Sequence, residues 1–186
     1  MTQAPTLMIA APASGSGKTV LTLSLLRHFR NQGSLISSFK VGPDFIDPAF
    51  HLAASGRTCL NLDCWSMHPA TLARLSAAAG DGVDLVIGEG VMGLFDGATD
   101  GTGSTADLAA LAGWPVVLVV DVRGQGTSAA ATVSGFAQFR ADVRLAGVIF
   151  NRVGGEGHAR ILRDAMAPLG IPVLGCVPRD PRLHLP

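Results

Sequence analysis

One feature constrains this chain more than any other: a glycine- and serine-rich loop between a short apolar run and a segment of helical length. The run Thr6–Ala11 predicts a strand, and the segment from Lys18 to about Asn31 predicts a helix. The loop between them comprises Ala13, Ser14, Gly15, Ser16, Gly17, Lys18 and Thr19. Glycines let backbone N–H groups turn towards phosphate oxygens, and the start of a helix adds partial positive charge. The arrangement therefore predicts a phosphate-binding loop, or P-loop, that binds ATP with Mg²⁺.

Two residues of this loop have predicted roles in phosphate chemistry. Lys18 would bridge the β- and γ-phosphates, and the hydroxyl of Thr19 would bind Mg²⁺. The usual pattern begins with a glycine, and Pro12 stands at that position here. The alternative is a turn that caps a helix and binds no ligand, but the strand before the loop and the helix after it favour the P-loop.

Short apolar runs alternate with segments of helical length along the rest of the chain. The predicted strands are 35–40, 85–89, 116–122, 145–151 and 173–177, and the predicted helices are 69–79, 104–112, 127–139 and 156–167. Continuous apolar runs are typical of strands buried on both faces of a parallel sheet. The alternation over 186 residues predicts one α/β domain with a doubly wound, mostly parallel sheet. Ligands of such sheets lie at the carboxyl ends of the strands.

Charged side chains cluster where the predicted strand 35–40 ends. Lys40 is its last residue, and Asp44 and Asp47 follow closely. Lys40 could neutralise charge on a transferring phosphoryl group, and the two carboxylates could bind Mg²⁺ or orient a nucleophile. A solvated turn with Asp–Pro sequences is equally compatible with this segment taken alone.

A second charged group follows the predicted strand 85–89. Glu89 ends that strand between two glycines, where a P-loop enzyme requires a metal-binding carboxylate, and Asp96 lies farther out, at the expected position of a substrate. A glycine-rich loop with incidental acids is the alternative. The predicted catalytic residues are Lys18, Lys40, Asp44, Asp47, Glu89 and Asp96. The predicted metal ligands are Thr19, Glu89 and one of Asp44 and Asp47.

Three smaller polar features lie at other predicted element ends. Asn151 and Arg152 follow the apolar run 145–150 and are predicted nucleotide contacts, because an amide there could read an adenine edge. Ser104 and Thr105 open a helix, where N-capping is favoured over binding of a substrate carboxylate. Asp121 ends a strand, either as a cap or as a support for neighbouring groups.

Composition excludes several classes of function. The net charge is zero, so no basic field is available to attract nucleic acid or an anionic membrane. Residues 1–12 lack a cationic signal-peptide region, and the longest continuous apolar stretch is too short to span a bilayer. The three cysteines lack metal or disulfide spacing and predict free, buried thiols in a reducing cytoplasm. The histidines are scattered, and the low charge is compatible with a homodimer.

Several motifs together resemble the N-terminal, ATP-binding domain of the cobyrinic acid and hydrogenobyrinic acid a,c-diamide synthases. They are AAPASGSGKT (10–19), FKVGPDFIDP (39–48), NLDCW (61–65), EGVMGLFDG (89–97), GSTADLA (103–109) and GCVPRDPRLHLP (175–186). The resemblance covers the chain from end to end, and the second and fourth motifs are its most specific parts.

The resemblance implies a P-loop domain like that of dethiobiotin synthetase and an amide-forming ligase of cobalamin biosynthesis. ATP and Mg²⁺ would activate the a and c acetate carboxylates of a corrin as acyl phosphates, and ammonia would replace the phosphate. In the family, ammonia comes from glutamine through a C-terminal glutaminase domain of the same polypeptide. Residues 1–186 are therefore expected to be one domain of a protein about twice as long.

Two other functions stay open at this stage. The first is another ligase of the same group, such as the nickel-sirohydrochlorin a,c-diamide synthase. The second is a ParA/MinD-like switch ATPase, which carries a signature lysine near the position that Ala13 occupies here. The absence of that lysine argues against the switch.

Overall fold

The computed structural model describes residues 4–183, which form one sheet with helices on both of its faces. The strands are β1 (Thr6–Ala10), β2 (Ile36–Val41), β3 (Leu60–Leu62), β4 (Leu85–Glu89), β5 (Val116–Asp121), β6 (Leu145–Val153) and β7 (Val173–Pro178). The helices are α1 (Lys18–Asn31), α2 (Asp47–Ser55), α3 (Pro69–Ala79), α4 (Thr105–Ala112), α5 (Ser128–Gln138) and α6 (Glu156–Met166), with a 3₁₀ turn at Ala167–Leu169. His184 and the end of the motif 175–186 lie outside the described residues, as do residues 1–3.

The sheet confirms the predicted doubly wound α/β class. Its strand order is β3-β2-β4-β1-β5-β6-β7, and every described strand pair is parallel rather than mostly so. The chain moves from β1 to one side through β2 and β3, then returns to the other side through β5, β6 and β7. β1 therefore lies at the point where the direction of winding changes, and its carboxyl end carries the P-loop. Ligands of such sheets bind at this point.

Alternating side chains of the central strands face two hydrophobic layers. Met8 and Ala10 pack in the layer that includes residues of α3, α4, α5 and α6, and Ile9 packs with α1 and α2 on the opposite face. The strands are buried on both sides, which explains why their sequences are continuously apolar. Within residues 4–183, no helix combines the length and the apolar character needed to cross a membrane.

The structure adds two elements that the sequence did not predict, α2 and β3. The segment around Asp47 and Pro48 was interpreted as a possible solvated turn, but it begins α2. Proline is accepted in the first turn of a helix, so the Asp–Pro pair starts this helix. β3 has only three residues, which is too short to produce a periodic pattern.

Candidate functional site

The P-loop leaves β1 and enters α1 through two glycines with left-handed backbone conformations. Gly15 has φ 76° and Gly17 has φ 95°. A side chain at Gly17 would be strained by this φ, and its Cβ would lie 2.2 Å from Nδ2 of Asn151. The buried hydroxyl of Ser16 donates to the carbonyl of Ala13 at 2.8 Å and closes the turn. These residues fold the predicted loop, with Ser14 and Gly15 exposed at its tip.

Asn151 and Arg152 hold the P-loop from the side of β6. Nδ2 of Asn151 donates to the carbonyl of Ser16 at 2.8 Å, and Nη1 of Arg152 donates to the carbonyl of Gly15 at 2.7 Å. In a trans peptide, a carbonyl and the N–H of the following residue point in opposite directions. The N–H groups of Ser16 and Gly17 therefore point away from the side chains of Arg152 and Asn151. The two residues predicted to contact the nucleotide thus support the loop, and the reading of an adenine edge by Asn151 stays a prediction.

Lys18 is largely buried at the start of α1. Its Nζ donates to the carbonyl of Met92 at 2.5 Å. Met92 has φ 48°, an uncommon conformation for a residue other than glycine, and this conformation accompanies the contact with Lys18. Burial lowers the pKa of the Lys18 ammonium, and the negative charge of Glu89 opposes that shift. The side chain is therefore held beside the loop by a single carbonyl.

Thr19, Lys40, Asp47 and Glu89 form a polar centre next to the P-loop, in which Lys40 and Glu89 are buried. Oγ1 of Thr19 donates to Oε1 of Glu89 at 2.5 Å and lies 3.3 Å from Oδ2 of Asp47. Nζ of Lys40 donates to the same two oxygens, at 2.8 Å to Glu89 and 2.6 Å to Asp47. Lys40 and Glu89 are paired residues of neighbouring strands, which explains their contact across 49 positions of sequence.

The charges of this centre stabilise one another. Burial alone would raise the pKa of Glu89, but hydrogen bonds from His51, Lys40 and Thr19, together with the charge of Lys40, lower that pKa to about 2. Burial would lower the pKa of Lys40, and the charge of Glu89 and the hydrogen bond to Asp47 outweigh it, so the pKa is raised. Lys40 and Glu89 are therefore a charged pair.

Asp44 is not brought to Thr19 as Asp47 is. Its Oδ1 accepts from the backbone N–H groups of Ile46 and Asp47 at 2.9 and 3.0 Å, and its Oδ2 is 3.7 Å from Nζ of Lys40. Burial opposes ionisation of Asp44, but these N–H groups and the charge of Lys40 lower its pKa. Asp44 thus shapes the turn that leads into α2.

Asp96 occupies the outer part of the loop after β4. Its Oδ2 accepts from the N–H of Gly93 at 2.9 Å, and the side chain is exposed. Its charge raises the pKa of Lys18, against the larger effect of burial. Asp96 therefore has only a minor effect on Lys18, and its carboxylate faces solvent.

Three smaller predictions can be compared with the structure. Ser104 caps α4 in a reciprocal arrangement with Asp107, and Ser104 and Thr105 are buried, which confirms N-capping. Asp121 binds Arg152 at 2.5 Å and also Arg123, so it supports a P-loop contact. Of the cysteines, only Cys59 is fully buried, whereas Cys64 and Cys176 are partly exposed. The prediction of three buried thiols is therefore wrong for two of them, although all three are free.

His51 is the site residue that the sequence analysis missed. It lies on α2, is fully buried, and its Nε2 is 2.8 Å from Oε2 of Glu89. Burial would lower the pKa of His51, and its bonds to Cys59 and Glu89 raise it to about 9. In a helix that starts at Asp47, His51 lies one turn later on the same face. His51 could have been identified only if α2 had been predicted.

One pocket of about 820 Å³ joins the P-loop to the carboxylates. It is lined on one side by residues of the P-loop and by Lys40, Asp44, Asp47 and Glu89, and on the other by Asn151, Arg152 and the segment Val177 to Pro181. Large apolar side chains are exposed on loops at the same end of the sheet: Phe45, Ile46, Trp65 and Met92. An anionic ligand with a flat apolar part would match this combination.

A family model places the chain among known nucleotide-binding domains. The model described as CbiA, the CobQ/CobB/MinD/ParA nucleotide binding domain, matches residues 7–185. The chain belongs to this family. The family description includes both ligase and switch names, so membership alone does not separate the two functions considered above. It does confirm that the P-loop is part of a nucleotide-binding domain.

Curated relatives that are 51–58% identical to this chain carry the name hydrogenobyrinate a,c-diamide synthase. The protein of Brucella suis is 58% identical over 96% of this chain, and those of Rhizobium meliloti and Rhodobacter capsulatus are each 54% identical over 97%. The resemblance drawn from the motifs is therefore confirmed. The chain spans 41% of the Brucella protein and 42% of the other two.

Solved structures support the fold independently of sequence. Chloroplast FtsY from Physcomitrella patens aligns with 98% of this chain and 64% of that chain, with a TM-score of 0.62 and 18% identity. FtsY from Elizabethkingia anophelis, solved with GDP, aligns with 93% of this chain and 56% of that chain, with a TM-score of 0.60 and 15% identity. At this identity the comparison shows a shared P-loop fold and nothing further.

Proposed function

We propose that this chain is the ATP-binding domain of a hydrogenobyrinate a,c-diamide synthase, a ligase of cobalamin biosynthesis. The observation that carries the proposal is 58% identity to a synthase of that name over 96% of the chain. The single pocket that joins the P-loop to Lys40, Asp47 and Glu89 supports it, because a kinase-like first step needs phosphate binding and carboxylates side by side.

The side chains beside the P-loop fit a magnesium ion. Thr19, Asp47 and Glu89 present three oxygen atoms within hydrogen-bond reach of one another or of Nζ of Lys40, and Mg²⁺ prefers oxygen ligands. Within residues 4–183, no group of three or more His, Cys, Asp and Glu side chains forms a metal cage by itself. Mg²⁺ sites of this kind are completed by phosphate oxygens and water. We therefore assign Thr19, Glu89 and Asp47 as ligands that act once nucleotide is bound.

The reaction would proceed in two displacements. A carboxylate oxygen of the corrin attacks the γ-phosphorus of ATP in line, the bond to the β-phosphate oxygen breaks, and ADP leaves. Ammonia then attacks the acyl carbon, phosphate departs, and the nitrogen loses a proton to give the amide. Mg²⁺ would neutralise charge on the phosphate oxygens. Lys18 would contribute positive charge beside them, and Lys40 would do so after loosening its bonds to Asp47 and Glu89.

The corrin would lie across the strand ends from the P-loop, on the loops 41–48 and 91–105. In-line transfer requires its carboxylate oxygen about 3–3.5 Å from phosphorus. The exposed side chains of Phe45, Ile46 and Met92 suit a flat apolar ring, and the structure adds Trp65, which is 63% exposed at the end of β3. The acids of these loops would repel a polycarboxylate, so corrin binding should require ATP and Mg²⁺ to be present first.

Amidation of a corrin tests the proposal directly. Purified protein with hydrogenobyrinic acid, ATP, Mg²⁺ and an ammonium salt is expected to give two products detected by mass spectrometry, each slightly lighter than its precursor because an amide NH2 replaces a carboxyl OH. Glutamine in place of ammonium should give neither amide nor glutamate, because none of Cys59, Cys64 and Cys176 has the flanking glycines of a nucleophile elbow.

Three outcomes would redirect the proposal. Amidation of a sirohydrochlorin but not of a corrin would indicate the nickel-sirohydrochlorin synthase. ATP hydrolysis without any tetrapyrrole binding would favour the switch ATPase. Glutamate release from glutamine, with contaminants excluded, would show that residues 1–186 contain a glutaminase function.

Asp96 should act on the substrate rather than on ATP. In Asp96→Asn the amide oxygen can still accept from the N–H of Gly93, while the charge is lost. We expect ATP affinity to change by less than about threefold and amidation to slow about tenfold or more, since a group that orients the reacting partner contributes at least that much.

Asp96→Ala serves as the structural comparison for this prediction. It removes the Gly93 contact as well as the charge. Amidation by Asp96→Asn at the wild-type rate would contradict a substrate role. Joint loss of ATP and corrin binding in Asp96→Ala, with a lower Tm, would show that Asp96 only stabilises the loop.

A further inference from the structure

We propose that His51 is a positioning residue, which holds Glu89 in the orientation that presents one carboxylate oxygen to Thr19 and Lys40. The inference rests on the proposed function, because it assigns His51 to the setting of a magnesium ligand. His51 contacts neither the P-loop nor the pocket, so its action is through Glu89.

The two oxygens of Glu89 have different partners. Oε1 accepts from Thr19 and Lys40, on the side of the pocket, and Oε2 is 2.8 Å from Nε2 of His51, on the side of α2. Glu89 is fully buried, so water does not replace a lost partner at Oε2. A carboxylate held at both oxygens cannot rotate without leaving a buried oxygen unpaired.

The proton between His51 and Glu89 can be assigned from the partners alone. An ionised carboxylate only accepts hydrogen bonds, so Nε2 of His51 must carry the hydrogen. Nδ1 lies 3.0 Å from the hydroxyl of Ser38 and 3.5 Å from Sγ of Cys59. A hydroxyl can donate or accept, so Ser38 satisfies Nδ1 in either protonation state of the ring. The ring is thus fixed at both nitrogens.

Helix α2 carries both Asp47 and His51. Asp47 is in the first turn of α2 and His51 is four residues later, on the same face of the helix. Ser38 and Lys40 are two residues apart on β2 and therefore point to the same side of the sheet. Packing α2 on β2 consequently brings Asp47 to Lys40 and His51 to Ser38 and Glu89 in one step. Carboxylate–histidine pairs of this kind set the orientation of metal ligands in other proteins.

Two substitutions separate positioning from simple packing. His51→Gln places an amide N–H near the position of Nε2 and can still donate to Glu89, whereas His51→Asn is too short to do so. The probe is a non-hydrolysable ATP analogue, titrated by calorimetry with and without Mg²⁺, so that no turnover is needed. Melting curves of both variants report on folding.

For His51→Asn we expect the gain in nucleotide affinity caused by Mg²⁺ to fall about 10–100-fold, with metal-free binding of the analogue close to wild type. His51→Gln should recover the gain to within about threefold of wild type. Ser38→Ala, which leaves Nε2 in place but removes the hydroxyl partner of Nδ1, should produce a smaller loss than His51→Asn.

The outcomes distinguish this inference from the proposed function. If Mg²⁺ does not increase affinity for the analogue in the wild-type protein, the proposed metal site itself is wrong. If it does, and folded His51→Asn responds to Mg²⁺ like wild type, the positioning role of His51 is overturned. Should His51→Asn fail to fold, His51→Gln decides: a preserved response supports the inference, and loss of the response in the folded variant overturns it.

Discussion

In a Lys18→Ala variant, ATP binding is expected to fall by 100-fold or more, roughly 3 kcal/mol, and to disappear from a calorimetric titration. The ammonium of Lys18 is the charged donor of the P-loop, and phosphate bonds to charged donors are stronger than those to neutral ones. In the structure Nζ is held by the carbonyl of Met92, so a nucleotide exchanges one neutral partner for charged phosphate oxygens. Removing the side chain removes that gain entirely.

Loss of binding in Lys18→Ala should not come from unfolding. Burial already lowers the pKa of Lys18, which means that the fold does not favour this charge in the absence of a ligand. The Tm should therefore stay close to that of the wild type. Arg74→Ala is the matched control, since it removes one positive charge from an exposed position of α3, on the opposite face of the sheet. Wild-type affinity in folded Lys18→Ala would show that the loop does not bind the phosphates.

The sheet could be predicted because its strands are buried on both faces. The strand Val116–Asp121 is continuously apolar up to Val120, as is typical of a strand that is buried on both faces. The P-loop could also be predicted from the sequence, because Gly15 and Gly17 have positive φ angles that few other residues adopt. These features depend on local chemistry, which a single sequence contains.

The neighbours of each strand could not be predicted in the same way. Lys40 contacts Glu89 because β2 lies beside β4, although β3 separates them in sequence. Alternation of strands and helices specifies a class of sheet but not the order of its strands. The same limit explains Asn151: it was predicted to follow a strand, but β6 continues to Val153, and the bond of Asn151 to Ser16 depends on how β6 passes the P-loop.

The missing helix α2 had the largest consequence for the site. Without it, Asp44 and Asp47 were equivalent acids in a turn, and His51 was one scattered histidine. With it, Asp44 accepts the N–H groups at the start of the helix, and Asp47 points to Thr19 and Lys40. An Asp–Pro pair is typical both of a turn and of the first residues of a helix. The sequence alone therefore does not distinguish a turn from α2, and the packing of the residues that follow does.

Glu89→Gln should separate nucleotide binding from turnover. Glutamine keeps the size of the side chain, so the P-loop is unchanged and the affinity for ATP measured without Mg²⁺ should stay within a few-fold of wild type. A neutral amide oxygen is a weaker ligand for Mg²⁺ than a carboxylate. We therefore expect corrin amidation to fall by about 100-fold or more, a loss typical of removing one electrostatic contact at a phosphoryl transfer centre.

The same variant should also be less stable. Lys40 would keep Asp47 at 2.6 Å but lose its bond to an ionised Glu89, and His51 would face a neutral group. Removing one member of a buried ion pair costs about 3–5 kcal/mol. In a domain of this size each kcal/mol lowers Tm by about 2–4 °C, so a fall on the order of 10 °C is expected. Amidation must then be assayed well below the new Tm.

Glu156→Gln provides the matched comparison for Glu89→Gln. The chemical change is identical, but Glu156 is exposed at the start of α6 and pairs only with Arg163 at 3.1 Å among the contacts described. Its Tm and its amidation rate should equal those of the wild type, because exposed ion pairs contribute about 1 kcal/mol or less. If Glu89→Gln, still folded at the assay temperature, amidates corrin at a near-normal rate throughout a Mg²⁺ titration, Glu89 is not a metal ligand. If its activity returns only at high Mg²⁺, the carboxylate contributes to metal affinity, as the contact between Glu89 and Thr19 implies.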